Sequence, residues 1–342
     1  MQETLRETKR PSSTDPFEHL RVPVFKPRAP WWGGDLQTMR NQFAARFQPF
    51  DSITQRLEFP LPHGAGDRML GMLETPSNFQ GGPLIILVHG LTGCEDSAYI
   101  REGAHFHLKR GRRILRLNLR GAGPSRSTCG GYYFAGCTED IRAVIAGIPS
   151  EVKSDGIIAV GFSLGGNILL NCLAQDWAED AFLSAATVCA PIRPAQAARR
   201  IMETRNWIYH RFLLQRMKED TMVPDAALND QERAAIASSK SIYEFDDKFT
   251  APHNGYADAD DYYARTAGAE FVADIKTPTL LIHAHNDPWI PVAPYYDLEQ
   301  VDLRRARIVI APGGGHVGFH GRELDGTWHD VVINSFVAPH YG

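Results

Sequence analysis

The chain of 342 residues has few cysteines and no run of apolar residues long enough to cross a membrane. A membrane-spanning helix needs about 18 or more mostly apolar residues, so no such segment is predicted. The five cysteines are odd in number and unpaired in spacing, which favours free thiols over a disulfide framework. The N-terminal charges are not followed by the apolar core of a secretory signal. These absences together predict a cytoplasmic protein.

A net basic charge is also missing. The sequence has 36 lysines and arginines against 40 acidic residues, a formal net charge of -4. Nucleic-acid-binding domains usually carry a basic field, so no nucleic-acid partner is expected. No Gly-Lys-Ser/Thr follows the glycines at 313–315, and Gly121-Ala122-Gly123 lacks the third glycine of a dinucleotide fingerprint. No histidine and acid cluster has convincing metal spacing, so neither a cofactor nor a metal is predicted.

Apolar runs and helix-compatible stretches alternate along much of the chain. Leu84–Val88 is apolar on both faces, as expected of a buried parallel strand. Further strands are predicted at 52–59, 68–74, 113–119, 156–161, 181–190, 278–284 and 307–310, with helices at 97–110, 138–149, 168–173 and 324–336. This alternation predicts an α/β fold with a mostly parallel central sheet and helices on both faces.

Two segments interrupt the alternation. Residues 1–50 read as an N-terminal arm, with about the first 20 residues poorly ordered, an extended proline-rich stretch at 22–32 and an amphipathic helical stretch through Phe47. Residues 192–272 show helical patterns without strands and are predicted to be a helical cap inserted into the core of 51–191 and 273–342. The alternative is a surface helical pair with no role in substrate binding.

The segment from Gly156 to Asn167 contains the motif Gly161-Phe162-Ser163-Leu164-Gly165 between a predicted strand and a predicted helix. A serine on such a tight strand-to-helix turn is the nucleophile elbow of α/β-hydrolases. The turn strains the serine backbone, and its flanking positions need residues almost free of side chains. The pentapeptide alone is a weak signal, so a base, an acid and an oxyanion hole must accompany it.

A base and an acid follow Ser163 at later strand ends. His316 comes after the last strand on a glycine-rich turn, and Asp287 comes after the preceding strand. The order Ser163, Asp287, His316 is the one expected for α/β-hydrolases, in which the carboxylate orients the histidine and stabilises its charged form. Less favoured bases are His89, His283 and His285, and less favoured acids are Asp258, Asp260 and Asp261.

The oxyanion hole needs two preorganised N–H donors. We expect one from Leu164, the residue after the nucleophile, and the other from Leu91 in the loop that follows Leu84–Val88. The substrate pocket is predicted to include His89, Gly90, Trp207 and Phe212. The alternative for His89 is that it packs within the loop.

Taken together, these motifs resemble the YheT-like family of α/β-hydrolases, relatives of abhydrolase lipases and of yeast medium-chain ethyl-ester synthase/esterases. The matching stretches are Asp35-Leu36-Gln37-Thr38, His89-Gly90-Leu91-Thr92-Gly93, Asn118-Leu119-Arg120-Gly121, Gly161–Asn167, Tyr243-Glu244-Phe245-Asp246, Ala251-Pro252, Gly255-Tyr256, Asp261-Tyr262-Tyr263, Asn286-Asp287-Pro288 and Gly314–Phe319. The resemblance implies a serine hydrolase of carboxylic esters with short or medium acyl chains, lipid esters included. It assigns the triad to Ser163, Asp287 and His316.

Three functions are compatible with these residues. The first is an esterase acting on a small-molecule ester with an apolar acyl chain, with contact to a membrane surface left open. The second is an alcohol O-acyltransferase that uses the same acyl-enzyme. The third is a binding protein that keeps the fold without turnover, and the complete set of triad residues argues against it.

Overall fold

The computed structural model describes residues 15–43, 51–63, 66–224 and 226–342. Of the segment expected to be poorly ordered, residues 1–14 lie outside this part, as do residues 44–47 of the predicted N-terminal helical stretch. Residues 15–20 contain a turn, and Phe17 is buried with its ring stacked on that of Phe336.

One eight-stranded sheet forms the centre of the molecule. Its strands are β1 (Ser52–Pro60), β2 (Arg68–Pro76), β3 (Leu84–Val88), β4 (Ile114–Leu117), β5 (Ile157–Phe162), β6 (Ser184–Val188), β7 (Thr279–Ala284) and β8 (Ala306–Ala311). They lie in the order β1-β2-β4-β3-β5-β6-β7-β8. β2 pairs antiparallel with β1 and β4, and the other neighbouring strands pair parallel.

Helices cover both faces of this sheet and fill the insertion. They are α1 (Gly33–Phe43), α2 (Ala98–Leu108), α3 (Thr138–Gly147), α4 (Ser150–Lys153), α5 (Leu164–Leu173), α6 (Pro194–Ile201), α7 (Trp207–Thr221), α8 (Asp230–Ser238), α9 (Ile242–Phe245), α10 (Ala251–His253), α11 (Ala259–Arg265), α12 (Ala293–Glu299) and α13 (Trp328–Val337). In the described ranges, no helix combines the length and apolar character that a membrane crossing requires.

The apolar run of β3 explains the two-sided packing. Leu84 and Ile86 belong to a buried cluster with residues of α3 and α5, whereas Ile85 and Leu87 belong to a second cluster with residues of α2 and α13. Successive strand residues point to opposite faces of a sheet, so a strand covered on both sides must be apolar throughout. The predicted α/β fold class is confirmed.

The described residues between β6 and β7 contain helices and no strand. We refer to residues 192–272 as the cap. Leu213, Met217 and Phe245 of the cap form an apolar cluster of their own, and Leu91 and Trp289 pack against it from the loops after β3 and β7. The cap therefore lies over the carboxyl ends of the central strands.

The N-terminal arm runs along the core as an extended segment. The Phe25 ring meets those of Phe319 and Trp328 edge-on, at centroid distances of 6.3 and 6.1 Å. The indole N–H of Trp328 donates to the Pro23 carbonyl oxygen at 2.6 Å. The arm then continues into α1, which reaches the loop after β8.

Candidate active site

The loops after β3, β5, β7 and β8 meet at one edge of the sheet. The parallel registers pair Val88 with Gly161 and Ala284 with Ala311, so these strands end close to the same level. Reactive groups of open α/β sheets collect beyond the carboxyl ends of the strands. Here that edge carries the three residues predicted to form the triad.

Ser163 lies on a sharp turn between β5 and α5. Its backbone has φ 50° and ψ -124°, which a residue with a side chain rarely adopts. A Cβ atom on Gly161 would lie 2.5 Å from the Gly165 carbonyl oxygen, and one on Gly165 would collide with the His89 carbonyl group. The two glycines are therefore required because backbone segments approach closely around the serine.

The structure brings Ser163, His316 and Asp287 into one hydrogen-bonded chain. Ser163 Oγ lies 2.9 Å from His316 Nε2, and His316 Nδ1 lies 2.8 Å from Asp287 Oδ2. The imidazole can thus accept the serine proton on one nitrogen while the other nitrogen donates to the carboxylate. This is the geometry that activates a serine hydroxyl for nucleophilic attack.

Asp287 is buried and nevertheless held as a carboxylate. Its Oδ1 accepts the backbone N–H groups of Trp289 at 2.8 Å and Ile290 at 3.0 Å. Burial alone would raise the pKa of Asp287, but the charge and hydrogen bond of His316, aided by the Ile290 N–H, outweigh it and hold the pKa below its usual value. The carboxylate is therefore available to orient the imidazole.

The arm helix α1 holds the loop that carries His316. Thr38 Oγ1 accepts the His316 backbone N–H at 2.7 Å and donates to the Gly34 carbonyl oxygen at 2.8 Å. Gln37 exchanges two hydrogen bonds with the His320 backbone, at 2.7 and 3.2 Å. The Leu-Gln-Thr motif contributes to the family resemblance, but nothing in the sequence indicates this role.

Leu91 and Leu164 each have a backbone N–H group in the segments around Ser163. Leu91 follows β3, Leu164 is the first residue of α5, and both line the same cavity as Ser163. Within the described ranges, neither N–H has a hydrogen-bond acceptor. The positive end of the α5 dipole adds to the Leu164 donor. Both N–H groups are therefore free to donate to an oxyanion formed next to Ser163.

His89 holds the loop and does not line the cavity, so its assignment to the pocket is wrong. The ring is fully buried, with Nδ1 2.8 Å from the Gly90 carbonyl oxygen, and Nε2 accepts the Leu119 N–H at 3.1 Å. Burial lowers the pKa of His89 to about 4, so the ring is neutral near pH 7. Tyr99 and Tyr133 also hold this loop, since their hydroxyls accept the N–H groups of Gly90 and Thr92. The sequence did not indicate a role for either tyrosine.

A cavity of about 680 Å³ opens above Ser163 and His316, between the sheet edge and the cap. Gly90 and Phe212 line it. Trp207 does not, which corrects its assignment to the pocket: it begins α7, is 58% exposed, and has the Arg211 guanidinium 6.0 Å from its ring. The face that α7 turns to the cavity instead carries Phe212, Leu213, Arg216 and Met217.

One group in the described part of the chain has the composition of a metal site. The ligand atoms of Cys189, His283 and Asp287 lie within 4.8 Å of one another, and all three residues are buried. Burial raises the pKa of the Cys189 thiol well above its usual value. Both carboxylate oxygens of Asp287 already accept hydrogen bonds, from His316, Trp289 and Ile290. The His283 ring stacks on Tyr295 at 4.1 Å. We interpret the group as packing beneath the Asp287–His316 pair.

A family model described as alpha/beta hydrolase fold matches residues 83–322. The chain belongs to the α/β-hydrolase family. This α/β-hydrolase is 31% identical over 317 residues to "Putative esterase YheT" of Escherichia coli K12, with 92% of both chains covered. It is 27% identical over 284 residues to medium-chain fatty acid ethyl ester synthase/esterase 2 of Saccharomyces cerevisiae, with 74% of this chain and 61% of the yeast protein covered. The resemblance to the YheT-like family is thus confirmed.

Solved structures share the fold of this α/β-hydrolase. The esterase Pf2001 of Pyrococcus furiosus aligns with a TM-score of 0.56 and 14% identity, covering 94% of this chain and 100% of that chain. At this identity the likeness shows the fold alone.

The arm helix α1 also contacts the cap. Asp35 accepts hydrogen bonds from the Arg205 guanidinium at 2.9 Å and from the Tyr209 hydroxyl at 3.0 Å. Arg205 and Tyr209 belong to the cap, so α1 contacts the cap at Asp35 and the His316 loop at Thr38.

Proposed function

We propose that this α/β-hydrolase cleaves carboxylic esters through an acyl-enzyme, with Ser163 as nucleophile, His316 as base and Asp287 as its orienting acid. The observation that carries the proposal is the hydrogen-bonded chain of these three groups, with 2.9 and 2.8 Å separations, at the floor of a cavity. The names of the Escherichia coli and yeast relatives support ester chemistry.

The reaction follows from the geometry in two halves. Ser163 Oγ attacks the acyl carbonyl carbon while His316 Nε2 takes its proton, and the Leu91 and Leu164 N–H groups stabilise the oxyanion. The alcohol then leaves with the proton from His316, forming the acyl-serine. Water attacks this ester, His316 takes the proton of the water, and the acid leaves as the proton returns to Ser163.

The cavity walls support an apolar acyl chain in the substrate. Ile201, Leu213 and Met217 of the cap and Ile290 of the core line the cavity together with Phe245. We propose that the cap supplies the acyl-chain wall, so that residues 192–272 act in substrate binding. The cavity volume of about 680 Å³ lies within the usual range for small-molecule sites, and a short or medium acyl chain fits in it.

The decisive experiment compares wild type with Ser163→Ala on p-nitrophenyl butyrate and octanoate. We expect the variant to lose nearly all turnover, and a fluorophosphonate to label wild type but not the variant. The folded state of the variant is checked by its circular dichroism spectrum. Equal turnover by the two proteins would refute the proposal, and failure of the folded wild type to react with either probe would favour a binding protein without turnover.

Acyl transfer to an alcohol is a second candidate, favoured by the name of the yeast relative. Both reactions share the acyl-enzyme and differ in whether water or an alcohol attacks it. Adding ethanol to the octanoate assay and measuring ethyl octanoate against octanoic acid separates the two. Ester accumulation above the amount formed with Ser163→Ala would identify transfer.

A further inference from the structure

A second polar group lies in the wall of the catalytic cavity, on the cap side. Asp246 is 8% exposed and lines the same cavity as Ser163 and His316. It begins a π-helical turn, Asp246–Thr250, a geometry that occurs frequently at functional sites. Ester cleavage by Ser163, His316 and Asp287 leaves this carboxyl group without a role.

The contacts of Asp246 are polar but not cationic. Its Oδ2 accepts the Tyr263 hydroxyl at 2.6 Å, and Thr250 is its other polar neighbour. Across the described ranges, no lysine, arginine or histidine forms an ion pair with it. Buried charges in proteins are normally paired, so this cavity contains a carboxylate whose partner is not supplied by the described chain.

The charge on Asp246 is present at neutral pH. Burial raises its pKa to about 6, with the Tyr263 and Thr250 hydroxyls acting in the opposite direction. The carboxyl group is therefore mostly ionised at pH 7.5. Among the described residues, Arg216 is the one arginine that lines the cavity, and it pairs with Glu219 at 3.6 Å. Burial raises the pKa of the nearby Asp220, and the charge of Arg216 opposes that rise.

Aromatic rings surround the same part of the cavity. Tyr262 and Tyr263 of α11 line it, and they belong to a buried cluster against which Leu164, the neighbour of the nucleophile, packs. Phe134 and Phe245 also contribute to the wall. A cation is attracted both to a carboxylate and to the faces of aromatic rings, and the combination suits a quaternary ammonium group.

We propose that Asp246 is a specificity-determining residue that binds a positively charged ammonium group of the ester substrate, in the cavity that holds Ser163. This rests on the proposed function and narrows it to esters that carry a cation. Tyr263 positions the carboxylate, and the neighbouring rings replace part of the hydration shell of the cation.

Two isosteric esters provide the test. Butyrylcholine carries a trimethylammonium group, and 3,3-dimethylbutyl butyrate has a neutral tert-butyl group in its place. We expect wild type to show a kcat/KM at least about tenfold higher for butyrylcholine. Asp246→Asn should lower kcat/KM for butyrylcholine about tenfold more than for the neutral ester. The neighbouring Asp247→Asn, at a residue outside the cavity wall, should keep the wild-type ratio.

Three outcomes would overturn the inference: a wild type that does not prefer the cation, an Asp246→Asn variant that keeps the preference, or an equal loss on both esters. If Asp246→Asn does not fold, tetramethylammonium should still inhibit wild-type cleavage of the neutral ester competitively, whereas tert-butanol at the same concentration should not. Failure of that inhibition also overturns it. Cleavage of the neutral ester without preference refutes this inference alone, whereas no cleavage of p-nitrophenyl or dimethylbutyl esters refutes the proposed function itself.

Discussion

Asp287 shows at the scale of one residue how the site keeps a charge where burial opposes it. Two backbone N–H groups share its Oδ1, and the His316 ring faces its Oδ2. Asp287 could be predicted from the sequence because it follows a predicted strand and lies between Ser163 and His316 in the chain. The sequence could not predict the two backbone donors, since these depend on the turn that the loop makes after β7.

We predict that Asp287→Asn lowers kcat about 10³-fold or more with a smaller change in KM, because an amide can present its N–H to His316 and stabilise the wrong tautomer. Steady-state kinetics on p-nitrophenyl butyrate measures this. Asp274→Asn, at an exposed position outside the cavity wall, serves as the matched control and should behave as wild type. A kcat within tenfold of wild type for Asp287→Asn would mean that another group orients His316.

At the scale of elements, the arm helix α1 explains why a segment remote in sequence belongs to the site. Thr38 and Gln37 bind the backbone of the loop that carries His316, while Asp35 binds the cap. His316, the proposed base, is thus positioned from both sides, by Asp287 from the core and by Thr38 from the arm.

We predict that Thr38→Val lowers kcat about tenfold, because the His316 N–H loses its acceptor and small displacements of a catalytic group are costly. The buried, unpaired N–H should also lower the free energy of unfolding by about 1–3 kcal/mol. Kinetics and urea unfolding measure the two effects, and Thr38→Ser, which keeps the hydroxyl, should restore kcat. A wild-type kcat for Thr38→Val would show that the loop holds His316 without the arm.

The sequence predicted which segments are strands or helices better than it predicted which side of a helix faces the cavity. The apolar run Leu84–Val88 predicted a buried strand, and the strandless pattern of 192–272 predicted helices over the site. Yet of the two α7 residues that the sequence assigned to the pocket, Phe212 lines the cavity and Trp207 does not. Helical spacing relates the two positions to each other, but which face meets the cavity depends on how α7 packs against the rest of the cap. Cytoplasmic location and contact with a membrane surface stay predictions.

At the scale of the whole molecule, several ionisable groups are buried in their neutral forms. Burial lowers the pKa of His89 and His283 to about 4, of His329 to about 3 and of His320 to about 2. Above pH 6.5 each histidine is neutral in both the folded and the unfolded state. As pH falls below 6.5, the histidine is protonated in the unfolded chain but not in the fold, so the free energy of unfolding decreases. Each histidine lowers the free energy of unfolding by about 1.4 kcal/mol per pH unit between pH 6.5 and its pKa in the fold.

Two buried carboxyl groups act in the opposite direction. Burial raises the pKa of Asp246 to about 6 and that of Asp330 to about 7. A raised carboxyl pKa means that the folded state holds its proton more tightly than the unfolded state, so its contribution to stability falls as pH rises from about 4 to the folded pKa. Asp330 accepts the Thr327 hydroxyl at 2.6 Å and lies 3.6 Å from His329, which is itself neutral near pH 7.

We therefore predict that Asp330→Asn makes the fold relatively more stable at high pH than at low pH. Asparagine cannot ionise, so it removes the penalty that wild type accumulates up to pH 7. Between pH 5 and pH 8 the free energy of unfolding of the variant, relative to wild type, should rise by about 3 kcal/mol, which is two pH units at about 1.4 kcal/mol each. Urea unfolding at the two pH values measures this, with Asp274→Asn as an exposed control that should show no such rise. If the free energies of unfolding of the variant and wild type differ by the same amount at pH 5 and pH 8, Asp330 is already ionised in the fold at pH 5. Its raised pKa would then be wrong.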